Sequence, residues 1–104
     1  GTLRDLAPGS ARMAPVTSLD APPPDWEIVD GRLHRRFQFV DFVEAFAFMT
    51  AVALVAEKMD HHPNWSNVYS EVVIDLWSHD VGGITERDHR MAELINTIAN
   101  RSQR

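Results

Sequence analysis

The chain has 104 residues, of which 44% are hydrophobic, and this size fits a single globular domain with one core. It contains no cysteine, which excludes disulfide scaffolds, zinc–thiolate sites and cysteine nucleophiles. The formal net charge is -5 and no basic stripe is present, which argues against direct binding to nucleic acid phosphates.

Residues 1–24 hold five of the six prolines and few large apolar side chains, so we interpret them as a flexible leader. Because Gly1 is not an initiator methionine, cloning residues are one interpretation of part of this leader. No signal peptide is visible, and we expect a cytoplasmic protein. Residues 25–104 are predicted to form one domain.

Residues 26–39 contain two strand-like runs on either side of an Asp-Gly turn signal at 30–31. In the second run, the odd-numbered residues from 33 to 39 are mostly apolar and the even-numbered ones are polar. This alternation predicts a strand with one buried side.

Residues 42–58 predict a long apolar helix. Asp41 can cap its N-terminus, and Glu44 occupies the capping-box position. Between residues 45 and 56 only Thr50 is polar, but the run is shorter than the roughly 20 apolar residues that span a bilayer. We therefore expect a deeply packed helix, with an oligomer contact as a further source of burial.

This helix must end before Pro63, because residues that precede a proline avoid the helical conformation. His61 and His62 are therefore expected in an extended or turn segment. Residues 67–80 then predict a further strand region, long enough to be divided. Its even-numbered residues from Val68 to Leu76 are expected to face the helices, with odd-numbered residues on the opposite face.

Two glycines at 82–83 end that strand region, and residues 85–99 predict a second helix with Thr85 as N-cap. We interpret its apolar stripe as core packing. The stripe consists of Met91, Leu94, Ile95 and Ile98. The order β-β-α-β-α predicts an α+β fold, a two-layer sandwich in which an antiparallel sheet of about four strands carries helices on one face.

Three imidazoles can converge at one rim of this fold. His61 and His62 lie at the helix end, and strand alternation directs His79 away from the helices. Histidine titrates closest to neutrality, so such a cluster suits proton transfer at pH 7. The carboxylates available to orient the rings are Glu57, Asp60, Asp80 and Asp88.

Other interpretations remain open from the residues alone. A pair of adjacent histidines is most often a surface feature, and Asp88 is also placed to complete a capping box with Thr85. Three histidines with an open position can bind catalytic zinc, but the usual H-x-H or H-x₃-H chelate is absent. His34 and His89 are expected to be solvated.

The pattern E-x₃-H-H-P-x₅-Y-x₉-H-x₈-D over residues 57–88 resembles the signature of the pterin-4a-carbinolamine dehydratases. The resemblance runs from about Trp26 to Ala99, and includes the segments around residues 35–49 and 78–88. One departure is the Pro-rich leader, which stands where family members usually carry a short helix.

The resemblance implies a hydro-lyase that converts 4a-hydroxytetrahydropterin to quinonoid dihydropterin and water in tetrahydrobiopterin recycling. It implies no metal and no organic cofactor. The catalytic residues would be His61, His62 and His79, with His61 and His79 as the acid/base pair and His62 holding and orienting the substrate. The orienting carboxylates would be Glu57, Asp60 and Asp88. The polar edge of the pterin would meet groups of Pro63, Ser78, His79, Asp80 and Val81.

The resemblance also implies a homodimer or a tetramer that has neither a membrane nor nucleic acid as a direct partner. Some vertebrate relatives bind a homeodomain transcription factor. The alternative function is therefore a non-catalytic interaction module, a transcriptional coactivator or dimerisation partner on the same fold, for which a nuclear location is also expected. Turnover of the carbinolamine discriminates between the two, because a pure binding module need not catalyse it.

Overall fold

The structure, a computed structural model, describes residues 21–102. The elements found there are β1 (Glu27–Val29), β2 (Arg32–Gln38), α1 (Phe42–Met59), β3 (Asn64–Val68), β4 (Glu71–Leu76) and α2 (Glu86–Ser102). The strands form one antiparallel sheet in the order β1-β2-β4-β3. The predicted α+β class with a four-stranded antiparallel sheet is confirmed. Neither helix in this part of the chain combines the length and the hydropathy needed to cross a membrane.

The core lies between the sheet and the two helices. It draws alternate residues from β2 and β4 and one side of each helix, as expected when apolar positions recur with periods of 2 and 3.6. Its largest members, at most 2% exposed, are Leu33, Phe37, Phe48, Val52, Val72, Ile74, Leu76, Met91 and Ile95. Two residues of the predicted α2 stripe, Met91 and Ile95, are therefore core. Ile98 is partly buried and packs against the core, and Leu94 is partly buried.

The predicted strand region 67–80 is two strands, β3 and β4, joined by a two-residue turn at Tyr69 and Ser70. β3 begins earlier than predicted, at Asn64, and β4 already ends at Leu76, so the predicted strand position of His79 is wrong. Tyr69 adopts a φ of 52°, the left-handed conformation that such tight hairpin turns require. Because the chain reverses there, the alternation of one strand does not continue into the other. The prediction that Val68 faces the helices is therefore wrong, since its side chain is 72% exposed.

The N-terminus of α1 is capped as predicted. The Asp41 carboxylate accepts a hydrogen bond from the Glu44 backbone N–H at 2.8 Å, and the Glu44 carboxylate accepts one from the Val40 N–H at 2.8 Å. Only one side of α1 is buried, so the expectation of a deeply packed helix is wrong for the other side. The large apolar side chains that are 47–75% exposed there are Phe42, Val43, Phe46 and Leu54.

Asn96 of α2 fixes the segment before β1 to the rest of the domain. Its Oδ1 accepts hydrogen bonds from Trp26 Nε1 at 2.7 Å and from the Arg35 guanidinium at 2.5 Å. Its Nδ2 donates to the Pro24 carbonyl at 2.9 Å. The end of the predicted leader is therefore packed on the domain, whereas residues 1–20 lie outside the described residues.

Arg35 places a positive charge on the helix-facing side of the sheet. Its guanidinium carbon lies 4.2 Å from the centre of the Phe37 ring, and one of its nitrogens lies 3.9 Å from an Asp25 carboxylate oxygen. Burial lowers the pKa of Arg35, and attraction to Asp25 opposes that shift. Asn96 and the aromatic ring thus replace part of the water that the charge has lost.

We expect Asn96→Ala to lower the free energy of unfolding by about 1–3 kcal/mol, because it leaves the buried Trp26 N–H without an acceptor. Urea denaturation followed by circular dichroism measures the change. Asn100→Ala, at an exposed position of the same helix, is the matched control and should stay within about 0.5 kcal/mol of the wild type. Equal stability of the two variants would contradict the role given to Asn96.

Candidate active site

The end of α1 separates the two adjacent histidines from the helix. Asp60 is the C-cap in the left-handed conformation, with a φ of 51° and a ψ of 45°. The His61 N–H closes the last turn by donating to the Ala56 carbonyl at 3.1 Å. Residues 61–63 then belong to neither a helix nor a strand, as predicted. His61 is 8% exposed, whereas His62 faces solvent.

His61 is held by a fully buried carboxylate. Its Nε2 lies 2.5 Å from Asp88 Oδ1, and Asp88 has no solvent exposure. The other carboxylate oxygen accepts a hydrogen bond from the Thr85 backbone N–H at 2.8 Å, which is the capping contact expected at the start of α2. Asp88 thus caps a helix and orients a histidine at the same time, so the two interpretations of this residue are compatible.

Ser78 connects this carboxylate to the loop between β4 and α2. Its fully buried hydroxyl donates to Asp88 Oδ2 at 2.9 Å and lies 2.7 Å from Thr85 Oγ1. Its carbonyl accepts from the Gly82 N–H at 2.9 Å, and its N–H donates to the Gly83 carbonyl at 2.8 Å. Gly82 has a φ of 69°, a conformation that glycine adopts without strain. The loop therefore presents Asp88 with a pre-positioned donor.

His62 has a carboxylate partner of a different kind. Its Nε2 lies 2.7 Å from Oε1 of Glu57, which is in the last turn of α1. The side chains of His62 and Glu57 are 56% and 79% exposed. Solvent screening makes such a pair weak. His62 is therefore oriented toward Glu57 but remains free to move, unlike His61.

His79 lies in the loop after β4 and is exposed. Neither of its ring nitrogens has a hydrogen-bond partner among residues 21–102. Its ring instead contacts Trp77, with 4.4 Å between ring centres and an angle of 44° between the planes. The three histidines thus have three different environments: a buried carboxylate, an exposed carboxylate and an indole.

The three imidazoles line one open cleft of about 250 Å³. The full lining is Asp60, His61, His62, Trp77, His79, Asp80 and Arg87. Asp80 accepts a hydrogen bond from the Arg87 guanidinium at 2.9 Å, so this edge of the cleft carries an ion pair. The predicted convergence of the histidines is therefore what the geometry shows.

Several residues of the predicted site lie outside this lining. Pro63 and Val81 do not line the cleft, and the Ser78 side chain is turned inward to Asp88. Tyr69, the aromatic residue of the signature, is 64% exposed in the hairpin turn between β3 and β4. Glu57 and Asp88 act behind the lining, through the histidines that they contact.

Two lining residues were missed by the sequence analysis. Trp77 lies two residues before His79 in the segment that follows β4, and this proximity along the chain is the signal that could have placed it in the cleft. Arg87 reaches the cleft from the first turn of α2, and its position next to Asp88 carried no such signal. Neither residue belongs to a spacing pattern with a known chemistry.

A larger groove of about 600 Å³ lies between residues 21–24 and the first turns of α2. It contains none of the three predicted catalytic histidines and shares Arg87 with the cleft. His89 lines it, is 8% exposed, and has no partner for its buried Nε2. The expectation that His89 is solvated is therefore wrong. His34 is only partly exposed, with its Nδ1 2.8 Å from Asp75.

The histidine nitrogens that face carboxylates are not arranged as metal ligands. The Nε2 atoms of His61 and His62 point to two separate acids, Asp88 and Glu57. Within residues 21–102, no group of three His, Asp or Glu side chains could hold a metal ion. The arrangement instead leaves one nitrogen of each carboxylate-bound ring, Nδ1, available for a proton.

We expect neutral His61 to carry its proton on Nε2, because that nitrogen faces the Asp88 carboxylate. A two-dimensional correlation of the imidazole ¹⁵N and ¹H nuclei measures the tautomer. Asp88→Asn should shift the His61 signals, whereas Glu57→Gln, the matched control at the exposed pair, should shift only those of His62. A wild-type His61 protonated on Nδ1 would contradict the assignment.

Comparison with known proteins identifies the family of the chain. The sequence profile of the Pterin 4 alpha carbinolamine dehydratase family matches residues 12–98. A relative from Prochlorococcus marinus (strain MIT 9515), named as a pterin-4-alpha-carbinolamine dehydratase, is 57% identical over 75 residues, which cover 72% of this chain and 78% of that protein. A relative of the same name from Synechococcus sp. (strain WH7803) is 56% identical over 75 residues, with 72% and 81% covered.

Solved structures are similar as well. A crystal structure of a transcriptional coactivator/pterin dehydratase from Brucella melitensis is 46% identical, with a TM-score of 0.70 over 81% of this chain and 87% of that one. A pterin dehydratase-like RuBisCO assembly factor of the alpha-carboxysome is 25% identical, with a TM-score of 0.59 over 71% and 86%. Since the profile spans most of the sequence and the relatives share more than half of their aligned residues, the chain belongs to the pterin-4-alpha-carbinolamine dehydratase family.

Proposed function

We propose that the chain removes water from a 4a-hydroxytetrahydropterin by histidine acid–base catalysis in the cleft. Family membership and the close relatives support the dehydratase activity, which is that of a hydro-lyase. The observation that carries the mechanism is the convergence of His61, His62 and His79 on one cleft, with His61 bonded to a buried carboxylate.

The reaction needs two proton transfers. The bond between C4a and the hydroxyl oxygen breaks, and the oxygen leaves as water after it receives a proton. A ring nitrogen next to C4a loses its proton, and its electron pair forms the new double bond of the quinonoid dihydropterin. One acid and one base are therefore required, and a positioned group in either role contributes typically about 10²- to 10⁴-fold.

His61 is the better placed acid. Its Nε2 lies 2.5 Å from the fully buried Asp88 carboxylate, which fixes the ring more firmly than the exposed Glu57 fixes that of His62. With Nε2 held by Asp88, Nδ1 is the nitrogen that can deliver a proton to the leaving hydroxyl. Asp88 keeps that nitrogen in a fixed direction.

His79 is the corresponding base. Its ring nitrogens have no partner among the described residues, and its exposure lets it return the abstracted proton to water. His62, on its exposed and weakly held carboxylate pair, is better suited to contact the substrate than to set a fixed proton path. These roles follow from the three different environments of the rings.

The size of the cleft limits how much of the substrate it can enclose. Its volume of about 250 Å³ is below the roughly 300–1,000 Å³ of typical small-molecule pockets, and it is open to solvent. The reacting pterin ring therefore occupies it, while a substituent on the ring remains outside. Asp60, Asp80 and Arg87 supply charged groups for the polar edge of the ring.

We expect His61→Ala and His79→Ala each to lower kcat by about 10²-fold or more, because each removes one proton-transfer group. His62→Ala should mainly raise KM. Stopped-flow loss of the carbinolamine absorbance measures the rates, with circular dichroism to verify folding and chelator treatment as a metal control.

The matched control is His34→Ala, which removes a histidine that is bonded to Asp75 and does not line the cleft. Its kcat and KM should equal those of the wild type. Full activity in both folded variants at His61 and His79, or loss of activity on chelation, would show that the proposed mechanism is wrong.

We also propose that the chain forms a homo-oligomer through the exposed side of α1. Phe42, Val43, Phe46 and Leu54 expose apolar surface on that side. Contiguous apolar surface on a small domain marks an interaction site, and the outer strand β3 has an unpaired edge that also needs cover. A second copy of the chain satisfies both requirements.

A charge on this face should weaken the association. We expect the wild type to sediment above the 11.8 kDa of one chain at roughly micromolar concentration, and Phe46→Glu to shift it toward the monomer, because a carboxylate would be buried without a partner. Asn100→Glu, at an exposed position of α2, is the control and should leave the sedimentation unchanged. A wild type that sediments as a monomer would refute the proposal.

A protein-interaction role on the same fold is the second candidate function. The observation that favours it is the same exposed side of α1, which could bind another protein. The apolar stripe of α2 cannot serve as the binding surface for another protein, because Met91 and Ile95 are fully buried. The Brucella melitensis structure is named both a transcriptional coactivator and a pterin dehydratase, so the two functions are not exclusive. A folded chain without turnover of the carbinolamine would favour the interaction role.

A further inference from the structure

His79 is the one histidine of the cleft whose ring no carboxylate holds among the described residues, so something else must orient it. The nearest ring is that of Trp77, 4.4 Å away between centres. Trp77 in turn lies against Arg32, whose guanidinium carbon is 4.1 Å from the centre of the indole ring. The three side chains form a continuous row of contacts from the sheet to the cleft.

The backbone explains why Arg32 and Trp77 meet. Leu33 of β2 is paired with Leu76 of β4 in antiparallel register. One step further along the same ladder places Arg32 opposite Trp77, on the face of the sheet away from the helices, and such directly opposed side chains contact each other. The end of the ladder thus brings the indole of Trp77, the first residue after β4, next to the Arg32 side chain.

The charge of Arg32 is available for this contact. Its guanidinium makes no ion pair with another described residue, whereas that of Arg36, four residues later on the same face, pairs with Glu71. A cation over an indole is the most favourable pairing of this class, and it holds the ring from one side. The Arg32 guanidinium therefore holds the Trp77 ring, and the Trp77 ring contacts that of His79.

We infer that Trp77, held by Arg32, is a positioning residue that sets the direction of the His79 ring in the dehydration. This inference rests on the proposed function, in which His79 transfers a proton. A base that is rotated out of line loses much of its effect, since small displacements of a reacting group can cost up to about 10²-fold in rate. These contacts restrict the orientation of the His79 ring, as the Asp88 carboxylate restricts that of the His61 ring.

The first test is spectroscopic and needs no substrate. The proton on Cε1 of His79 should resonate upfield of those of His61 and His62, because the ring current of Trp77 shields it. Trp77→Leu should abolish this shift, Trp77→Phe should keep part of it, and Arg32→Met should reduce it, with Arg32→Lys restoring it. Arg36→Met is the matched control and should leave it unchanged. A wild-type His79 without the shift would overturn the inference.

The second test is kinetic. We expect Trp77→Leu to lower kcat by about 10-fold and Arg32→Met by about 3-fold, with KM nearly unchanged. In a His79→Ala background, Trp77→Leu should cause no further loss, because the group that it positions is gone. If the two losses multiply, or if Trp77→Leu raises KM at constant kcat, Trp77 is a wall for the substrate and the inference is wrong.

The two tests separate this inference from the proposed function. If His79→Ala keeps full activity while the upfield shift is present and depends on Trp77, then the catalytic role of His79 fails and the contact stands. If His79→Ala loses activity but Trp77→Leu and Arg32→Met keep the wild-type kcat, then the proposed function stands and the positioning role fails.

Discussion

The buried carboxylate of Asp88 is the interaction on which the site depends. An ionised group without solvent exposure is tolerated only when hydrogen bonds and opposite charge replace its water. Those partners come from three separate segments: His61 after α1, Ser78 after β4 and Thr85 at the start of α2. Satisfying one charge therefore brings together the ends of three elements, and the cleft forms where they meet.

The three histidines show how the fold places one residue type in different environments. Two of them face carboxylates, but Asp88 is buried and Glu57 is 79% exposed, so only the first pair is strongly constrained. His79 contacts an indole instead. A cluster of identical, equally solvated imidazoles would have no such differences in environment.

The two helices use their apolar residues in opposite ways. α2 buries its stripe, including Met91 and Ile95, in the core, and its first turn supplies Asp88 and Arg87 to the site. α1 is apolar nearly all round, but its fully buried residues are only Ala45, Phe48, Val52 and Ala56. In a domain of this size, the helices can bury apolar side chains only against one face of the single sheet. The remaining apolar side of α1 is therefore left exposed in the single chain.

The sequence by itself determined the local features: the alternation of β2, the end of α1 before Pro63, and the capping pair of Thr85 and Asp88. Each depends on neighbours within a few residues, so spacing suffices to predict it. Only the tertiary structure decided which face Val68 takes, because a hairpin turn resets strand alternation. The tertiary structure also decided the contacts of Trp77, whose neighbours are Arg32 of β2 and His79 of the loop after β4. Side-chain packing between distant segments has no signature in the spacing of one chain.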